Sequence, residues 1–515
     1  MIATVFSAPQ AQAQVTAFKQ AVAEAAARDD DLAAFYRARE FEGIWTGNRD
    51  RSRRNALLTA LSDAGNHGLP VGRYDPETLR AQVAAAQTPE QLGQLEVELS
   101  RVFLQYATDI QTGVLIPRQV VNEIRREVPY RNRLAVLQGF AQSSPTGFLR
   151  SLPPSSPEYN RLLRAKLQME QQLGQGGFGP EVSGTLAPGA SGEQVINLRN
   201  RLITMGFMER NATQTYDASV QAGVQRFQQA MGLNHDGVVG EGTLRELNRS
   251  MGERLQGVIV AMERERWINR PRGDRHVWVN LTDFTARIVD NGAVTFQTRS
   301  VIGARDSDRQ SPEFSDVMEF MVINPSWYVP RSIIVNEYLP RLRANSHAVS
   351  HLEITDSRGR VVNRGAVNFA QYNERTFPYS MRQPPSRGNA LGLVKFMFPN
   401  QHNIYLHDTP AQNLFSREVR AFSHGCIRLD DPFDFAYALL AKQTSDPRGF
   451  FHSRLDTGRE TRVDLDQPVP VHIIYRTAFT SVDGTMNYRR DIYNRDSRIW
   501  SALSREGVAV RSVGG

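Results

Sequence analysis

The chain has 515 residues and a single cysteine, Cys426. One thiol can form neither an internal disulfide nor a multi-thiolate metal site, so it is either a small apolar filler in a core or a reactive nucleophile. The preceding residues, Ser423, His424 and Gly425, are short, polar and flexible. Such a segment suits an exposed nucleophile better than a core position, and we therefore predict a catalytic thiol.

Composition indicates an ordinary globular protein, with 40% apolar and 22% charged residues. The length corresponds to about three domains. The net charge of +7 is spread along the chain, which suits work near an anionic polymer. Because no basic stripe interleaves with aromatic residues, we expect no nucleic-acid partner. The sequence also has no apolar run long enough to predict a transmembrane segment.

The N-terminal residues 1–29 resemble the later part of a secretory signal. A short apolar stretch precedes a small-x-small site at Ala11-Gln12-Ala13, although the positively charged start typical of such signals is missing. We expect this segment to be a signal-peptide remnant and the protein to be exported to the periplasm.

Residues 30–180 are predicted to form a helical scaffold domain. Apolar residues recur there at helical spacing, as in Leu95, Leu99, Val102, Phe103 and Tyr106. A linker follows, since nine of the nineteen residues in 174–192 are Gly or Pro. No catalytic constellation is visible in this part of the chain.

Residues 185–250 form a compact three-helix unit. Ser191 is a plausible N-cap of its first helix and Asp217 of its second, and a turn at 236–240 leads to the third. This unit resembles the peptidoglycan-binding module of bacterial wall enzymes. The resemblance lies in the opening at 189–195, the second-helix core through Phe227 and the turn ending at Thr243. The alternative is a generic helical bundle that acts as a spacer.

Residues 255–480 are predicted to be mainly β. Alternating apolar residues indicate strands, and Asp290-Asn291-Gly292 between two of them is a strong hairpin signal. A long insertion at about 331–388 interrupts the strands; we expect it to be a mobile lid that shields the active site from water. Residues 481–515 form a polar C-terminal tail to which no chemistry is assigned.

A cysteine nucleophile needs a base within hydrogen-bond reach, and two histidines are candidates. His407 ends a predicted strand at 403–406, whereas His424 lies two residues from the thiol. Rigid placement at the end of a strand favours His407. Asp431-Pro432 begins a helix, and we expect its N-terminus to lie near the thiol and favour the thiolate.

Other residues near the thiol allow two interpretations. Ser423 is either a turn residue or part of the catalytic site. Arg428 either pairs with Asp430 or Asp431 or holds a substrate carboxylate. Tyr405 and Trp327 either pack beside the site or contact substrate. A metal site built from His402, His407 and His424 is conceivable, but no metal-ligand motif supports it.

His407, fifteen intervening residues and then Ser423-His424-Gly425-Cys426 resemble the signature of the L,D-transpeptidase catalytic domain. The resemblance extends to 324–330, 389–396 and 405–410 and, with the scaffold and wall-binding module, is closest to the large, lid-bearing branch of Gram-negative bacteria. One departure is Arg428, where the general signature often has asparagine. The resemblance implies a multidomain α+β fold with a helical scaffold domain, a three-helix peptidoglycan-binding module and a mainly β catalytic domain.

The resemblance also implies a cysteine acyltransferase that needs no metal or cofactor and forms 3→3 cross-links between peptidoglycan stem peptides. Cys426 would be the nucleophile and His407 the base, oriented by the main-chain carbonyl of Asp408. The N–H groups of Gly425 and Cys426 would stabilise the oxyanion. Expected partners are stem peptides, glycan and other wall-synthesis proteins, and a carbapenem would acylate the thiol. The alternatives are an L,D-carboxypeptidase, a wall-to-protein transferase or hydrolase, and a non-catalytic wall-binding protein.

Overall fold

Residues 8–306 and 308–512 are described by the structure, a computed structural model. They divide into two compact units. Unit one combines the chain up to Pro271 with the chain from Arg476 onward, and unit two is Arg272–Tyr475. The predicted export signal falls partly on residues 1–7, which lie outside the described residues, and the backbone that follows is helical over Ala8–Ala26.

Unit one is almost entirely helical. Its helices are Ala8–Ala26, Asp30–Ala38, Arg51–Ser62, Val71–Tyr74, Pro76–Ala85, Pro89–Thr112, Pro117–Val120, Arg133–Gln142, Pro145–Ser151, Pro157–Gly174, Glu193–Thr204, Ala218–Met231, Glu241–Leu247, Met251–Trp267 and Arg495–Arg505. Short 3₁₀ turns cover Asn48–Asp50 and Asp63–His67. The helical character predicted for the scaffold region is confirmed.

The longest scaffold helix, Pro89–Thr112, shows why this region is helical. Thr88 and Gln91 form a capping box at its start, and a proline occupies its first turn. Its Glu96 is fully buried, and the carboxylate accepts hydrogen bonds from the backbone N–H groups of residues 44–46. A buried carboxylate needs such donors, and they fix a loop against the helix.

The three-helix module has the predicted order of helices. The Asp217 side chain caps the second helix by accepting from the N–H groups of Ser219 and Val220. The predicted cap at Ser191 is wrong, because the residue that caps the first helix is Gly192, with φ of 106° and no side-chain bond. The core is assembled from apolar residues of all three helices, among them Leu198, Phe227 and Leu247.

The C-terminal segment is structured and belongs to unit one. A hairpin joins Ala478–Thr480 to Met486–Tyr488, and the helix Arg495–Arg505 buries Ile499 and Leu503. Sequence patterns did not predict this helix, because it is short and its neighbours are polar. Packing, rather than local propensity, stabilises it.

Unit two carries the strands predicted for the β-rich region. The strands are β1 (Arg275–Asn280), β2 (Thr285–Asp290), β3 (Ala293–Gly303), β4 (Phe314–Ile323), β5 (Trp327–Tyr328), β6 (Glu353–Thr355), β7 (Ser380–Gln383), β8 (Val394–Met397), β9 (Leu406–His407), β10 (Ala421–Ser423), β11 (Ile427–Leu429) and β12 (Thr461–Ile474). Two helices follow β11, Pro432–Leu440 and Pro447–Leu455.

Nine of these strands form one sheet in the order β10-β3-β11-β9-β8-β4-β12-β1-β2. Because β2 also pairs with β3, the sheet closes on itself. The predicted hairpin is confirmed: β2 and β3 pair at Asp290 and Ala293 around Asn291 and Gly292, both with positive φ. Strands β9 and β11, short and central, lie side by side in this closed sheet.

The insertion between β5 and β8 is a packed subdomain. It has its own three-stranded sheet, β5-β7-β6, and helical segments at Arg331–Ile333, Ile334–Tyr338 and Leu339–Ala344, the middle one a π-helix. Two 3₁₀ turns cover Arg364–Ala366 and Phe369–Gln371. Its core includes Trp327, Leu342, Phe377 and Leu391. The insertion, which was predicted to be a mobile lid, thus has an apolar core of its own.

Candidate active site

The parallel pairing of β9 with β11 brings Tyr405 and His407 close to Cys426. This pairing sets Leu406 beside Ile427 and His407 beside Arg428, and the Ile427 N–H donates to the Tyr405 carbonyl at 3.1 Å. Cys426 directly precedes β11, so the thiol is held at the end of the strand next to β9. The strand predicted at 403–406 is shorter than expected, because Asn403 has a φ of 54° and the pairing begins at Leu406.

The thiol of Cys426 is half-buried and donates its hydrogen to the main-chain oxygen of Asn403, with 3.5 Å between Sγ and O. Desolvation by burial raises its pKa to about 11. The backbone N–H and hydroxyl of Tyr405 and the charge of Arg428 act in the opposite direction and do not outweigh burial. The Cys426 thiol is therefore neutral near pH 7.

His407 is buried and points its Nδ1 at the main-chain oxygen of Asp408, 2.5 Å away. Burial, together with the nearby charge of Arg428, lowers the pKa of His407 to about 3. Hydrogen bonds to the main-chain carbonyls of Asp408 and Leu391 favour the charged form but do not outweigh burial. The ring is thus neutral, with the Nδ1 hydrogen donated to Asp408. In this tautomer Nε2 is the acceptor, as a general base requires.

The prediction that a helix N-terminus favours the thiolate is wrong. The helix at Pro432–Leu440 begins beyond β11, and this three-residue strand separates it from the thiol. At roughly 3.3 Å per residue, β11 spans about 10 Å, whereas the influence of a helix end falls off within its first turn. Burial consequently dominates the pKa of Cys426.

This geometry predicts the pH dependence of thiol alkylation. With a pKa of about 11, roughly one thiol in 10⁴ is ionised at pH 7. The rate of alkylation by iodoacetamide should rise about ten-fold per pH unit from pH 7 to 9, since only the thiolate reacts. Intact mass measures the rate on the single cysteine, and a rate already constant above pH 7 would indicate a preformed thiolate–imidazolium pair instead.

Ser423 organises the turn before Cys426. Its Oγ donates to the Cys426 carbonyl at 2.5 Å and accepts from the Gly425 N–H at 3.1 Å. The predicted role of the Gly425 N–H as an oxyanion donor is therefore corrected, because this N–H is already bonded. Among the described residues, the Cys426 N–H has no hydrogen-bond partner and remains available for an oxyanion.

His424 points away from the sulfur, toward the insertion. Its Nε2 lies 2.5 Å from Oε1 of Glu337, and both side chains are more than a third exposed. Sequence reasoning missed Glu337, which lies 87 residues before its partner. No local pattern could have signalled this contact.

Tyr405 and Trp327 connect the insertion to the thiol. The indole of Trp327 donates to the Tyr405 hydroxyl, and this hydroxyl in turn faces Cys426. Burial raises the pKa of Tyr405 well above its usual value, so it stays a donor at all physiological pH. Both side chains therefore border the thiol.

Arg428 does not form either of the carboxylate pairs considered from the sequence. Asp430 pairs with Arg299, and Asp431 hydrogen-bonds with Thr298. Among the described residues Arg428 has no ion pair, and its Nε is buried without a hydrogen-bond partner. Burial lowers its pKa, while Cys426 acts in the opposite direction. A desolvated guanidinium beside the thiol is suited to an anionic substrate group.

The backbone around His407 is fixed by contacts that the sequence did not reveal. The Asp408 carboxylate accepts from the N–H groups of Leu393 and Thr409 at 2.8 and 2.6 Å. A Cβ on Gly392, which has a φ of 62°, would lie 2.2 Å from Cγ of Asp408. Glycine is therefore required where the chain leaves the insertion and passes the histidine.

The alternative metal site is not supported. The described residues contain no group of three or more His, Cys, Asp or Glu side chains that could hold a metal ion. His402 contacts the ring of Phe314, and His424 contacts Glu337.

None of the helices in the described part of the chain is both long and apolar enough to cross a membrane.

Family models match three parts of the chain. Residues 274–463 match the model described as the L,D-transpeptidase catalytic domain. Residues 191–247 match the model "Putative peptidoglycan binding domain", and residues 30–165 match a scaffold domain.

Individual proteins resemble parts of the chain. A curated protein of Haemophilus influenzae, named "Putative L,D-transpeptidase", is 28% identical over 246 residues, 47% of this chain and 48% of that protein. The chain thus spans about half the length of this relative. The crystal structure of an L,D-transpeptidase from Xylanimonas cellulosilytica is 16% identical; the match covers 57% of this chain and 100% of that one, with a TM-score of 0.17. The crystal structure of an L,D-transpeptidase from Stackebrandtia nassauensis is 14% identical; the match covers 57% of this chain and 97% of that one, with a TM-score of 0.22.

Proposed function

We propose that the chain forms 3→3 cross-links between peptidoglycan stem peptides through a thioester on Cys426, and the match of residues 274–463 to the L,D-transpeptidase catalytic domain supports this proposal. The observation that carries this proposal is the neutral state of His407, whose Nδ1 hydrogen is donated to the main-chain oxygen of Asp408. His407 lies on β9, next to β11, the strand that directly follows Cys426. This tautomer leaves Nε2 able to take the proton of a neutral thiol.

Acylation begins when substrate displaces the thiol from its contact with Asn403. The proton of Cys426 passes to Nε2 of His407 as Sγ attacks the carbonyl of the L-centre of diaminopimelate in a tetrapeptide stem. The Cys426 N–H stabilises the oxyanion, and the C–N bond to the terminal D-alanine then breaks. His407 returns its proton to the leaving amine, so the residue is neutral again in the thioester.

Substrate contacts are proposed for the residues that border the thiol. Arg428 binds a carboxylate of the substrate, which supplies the partner that its buried guanidinium lacks. Tyr405 and Trp327 form the wall of the groove toward the insertion. The insertion excludes water from the thioester and so favours transfer to an amine over hydrolysis.

The part of the chain ahead of the catalytic domain supports a role at the cell wall. The module at 191–247 matches a peptidoglycan-binding family, and we assign it the binding of glycan or stem peptide. We further propose an extracytoplasmic, periplasmic location, where this polymer lies, and contacts with other wall-synthesis proteins.

Incubation of the purified chain with a disaccharide tetrapeptide tests the proposed activity. We expect a dimer linked between the third residues of two stems, together with free D-alanine, both identified by tandem mass spectrometry. Tripeptide and D-alanine without any dimer would instead indicate an L,D-carboxypeptidase. An unchanged substrate would contradict both activities.

A further inference from the structure

Ser311 is a buried serine in the segment that joins β3 to β4, and it contacts the turn that carries Cys426. Its side chain is fully buried. The Ser311 Oγ donates its hydrogen to the main-chain oxygen of Gly425, 2.6 Å away, and accepts a hydrogen bond from the Gly303 N–H at 2.9 Å. The hydroxyl thus connects the end of β3 with the residue directly before the thiol, 114 positions further along the chain.

Two further features hold Ser311 and its partners in place. β10 pairs with β3 so that Ser423 lies beside Gly303, and the Ala304 N–H donates to the Ser423 carbonyl at 2.8 Å. Pro312 follows the serine, and a proline restricts the backbone of the residue before it to extended conformations. The Ser311 hydroxyl therefore occupies a defined position against the turn.

The hydrogen bond from Ser311 fixes the orientation of one peptide group. The peptide between Gly425 and Cys426 is trans and planar, so its carbonyl and its N–H point in opposite directions. Gly425 has a φ of 110°, and glycine adopts positive and negative φ about equally well, so sterics alone do not hold this peptide in one orientation. A hydrogen bond to the Gly425 oxygen therefore also determines where the Cys426 N–H points.

This N–H is the group that remains available for an oxyanion. The Cys426 N–H has no hydrogen-bond partner among the described residues, whereas the Gly425 N–H donates to the Ser423 Oγ. A donor is most effective when it is aimed, before the reaction, at the position where negative charge develops. The hydrogen bond that the Gly425 carbonyl accepts also polarises the peptide, which makes the N–H on its other side a stronger donor.

We propose that Ser311 is a positioning residue for the oxyanion, which aims the Cys426 N–H without touching the substrate. The inference rests on the proposed thioester mechanism and adds a residue from outside the motif around the cysteine. During attack on the substrate carbonyl, the Gly425 oxygen stays bonded to Ser311, so the peptide does not have to turn as negative charge develops. Without the hydroxyl this peptide is free to turn, and acylation slows.

Two reactions of the same thiol test this role. Acylation by a carbapenem passes through an oxyanion, whereas alkylation by iodoacetamide displaces iodide and forms none. Intact mass gives both rates on the only cysteine of the chain. Ser311→Ala should lower the rate of acylation at least about ten-fold, since outright removal of an oxyanion donor costs about 10²–10³. The rate of alkylation at pH 9 should stay within about two-fold of the wild-type rate, because it depends on the thiolate alone.

Three further variants separate the hydroxyl from a general effect on the turn. Ser311→Thr keeps the hydroxyl and should retain acylation within about three-fold of the wild-type rate. Ser311→Gly removes it with a smaller side chain and should resemble Ser311→Ala, so the test does not depend on the folding of a single variant. Ser300→Ala is the matched control. Ser300 is fully buried on β3, but its Oγ has no hydrogen-bond partner among the described residues, so its replacement should change neither rate.

The assignment fails if Ser311→Ala and Ser311→Gly retain wild-type acylation, or if Ser311→Thr is as slow as they are. It also fails if alkylation changes as much as acylation, because the serine would then only maintain the turn. These outcomes are distinct from failure of the proposed function. In that case the wild-type chain itself would form no thioester with a tetrapeptide donor.

Discussion

Cys426→Ala is expected to abolish both carbapenem adduct formation and cross-linking. No other residue of the chain can supply a thiolate, because Cys426 is the only cysteine. The side chain is half-buried, and its contacts with the Asn403 carbonyl and with Tyr405 are weak sulfur hydrogen bonds, so replacing it should leave the fold intact. Intact mass after carbapenem treatment should show no adduct, and the thermal unfolding midpoint should stay close to that of the wild-type chain.

The control for this prediction is Cys426→Ser, which keeps the size and the hydrogen bond to Asn403. An oxygen nucleophile would be far less reactive, because a hydroxyl is ionised even less than this thiol. If the alanine variant still acquires a carbapenem mass, another residue is acylated and the assignment of the nucleophile is wrong.

His407→Ala should lower the rate of acylation by about 10²–10⁴, the usual contribution of a general base. The neutral thiol makes this loss large, because Cys426 must surrender its proton during attack rather than before it. His424→Ala should cost clearly less, since its ring contacts Glu337 and is partly exposed. Acylation by a carbapenem, followed by mass spectrometry, gives both rates.

His452→Ala is the matched control for these two variants. This histidine lies in the same unit and hydrogen-bonds with Tyr437, away from the thiol. Its replacement should leave acylation unchanged. A greater loss for His424→Ala than for His407→Ala would reverse the assignment of the base.

The local motifs were predictable from the sequence because each one depends on neighbouring residues. Asp290-Asn291-Gly292 predicted the hairpin, since the required positive φ values are easily adopted by these residues. The resemblance to the L,D-transpeptidase domain, carried by His407 and the Ser423–Cys426 motif, is confirmed by the family model over 274–463. The multidomain fold class is confirmed as well.

The protonation state of the site could not be predicted in this way. It depends on burial and on groups that the folded chain brings together, such as Asn403 and Tyr405 around the thiol. The sequence favoured a thiolate because a helix begins soon after Cys426. Three residues of extended strand were enough to remove that effect.

The insertion likewise escaped prediction as a packed body. Its core joins residues far apart in the chain, from Trp327 to Leu391, and its proline-rich segment shows no regular period. The contact between Glu337 and His424 spans 87 residues. Only tertiary packing reveals that the insertion reaches the cysteine loop.

Trapping the acyl-enzyme with its peptide donor tests the central claim most directly. The wild-type chain is mixed with a tetrapeptide stem without acceptor, quenched in acid and analysed by intact mass and peptide mapping. We predict a tripeptide acyl group on Cys426, lost on addition of hydroxylamine and absent from Cys426→Ala. Cross-linked product that accumulates while Cys426 never carries the acyl group would contradict a thioester mechanism.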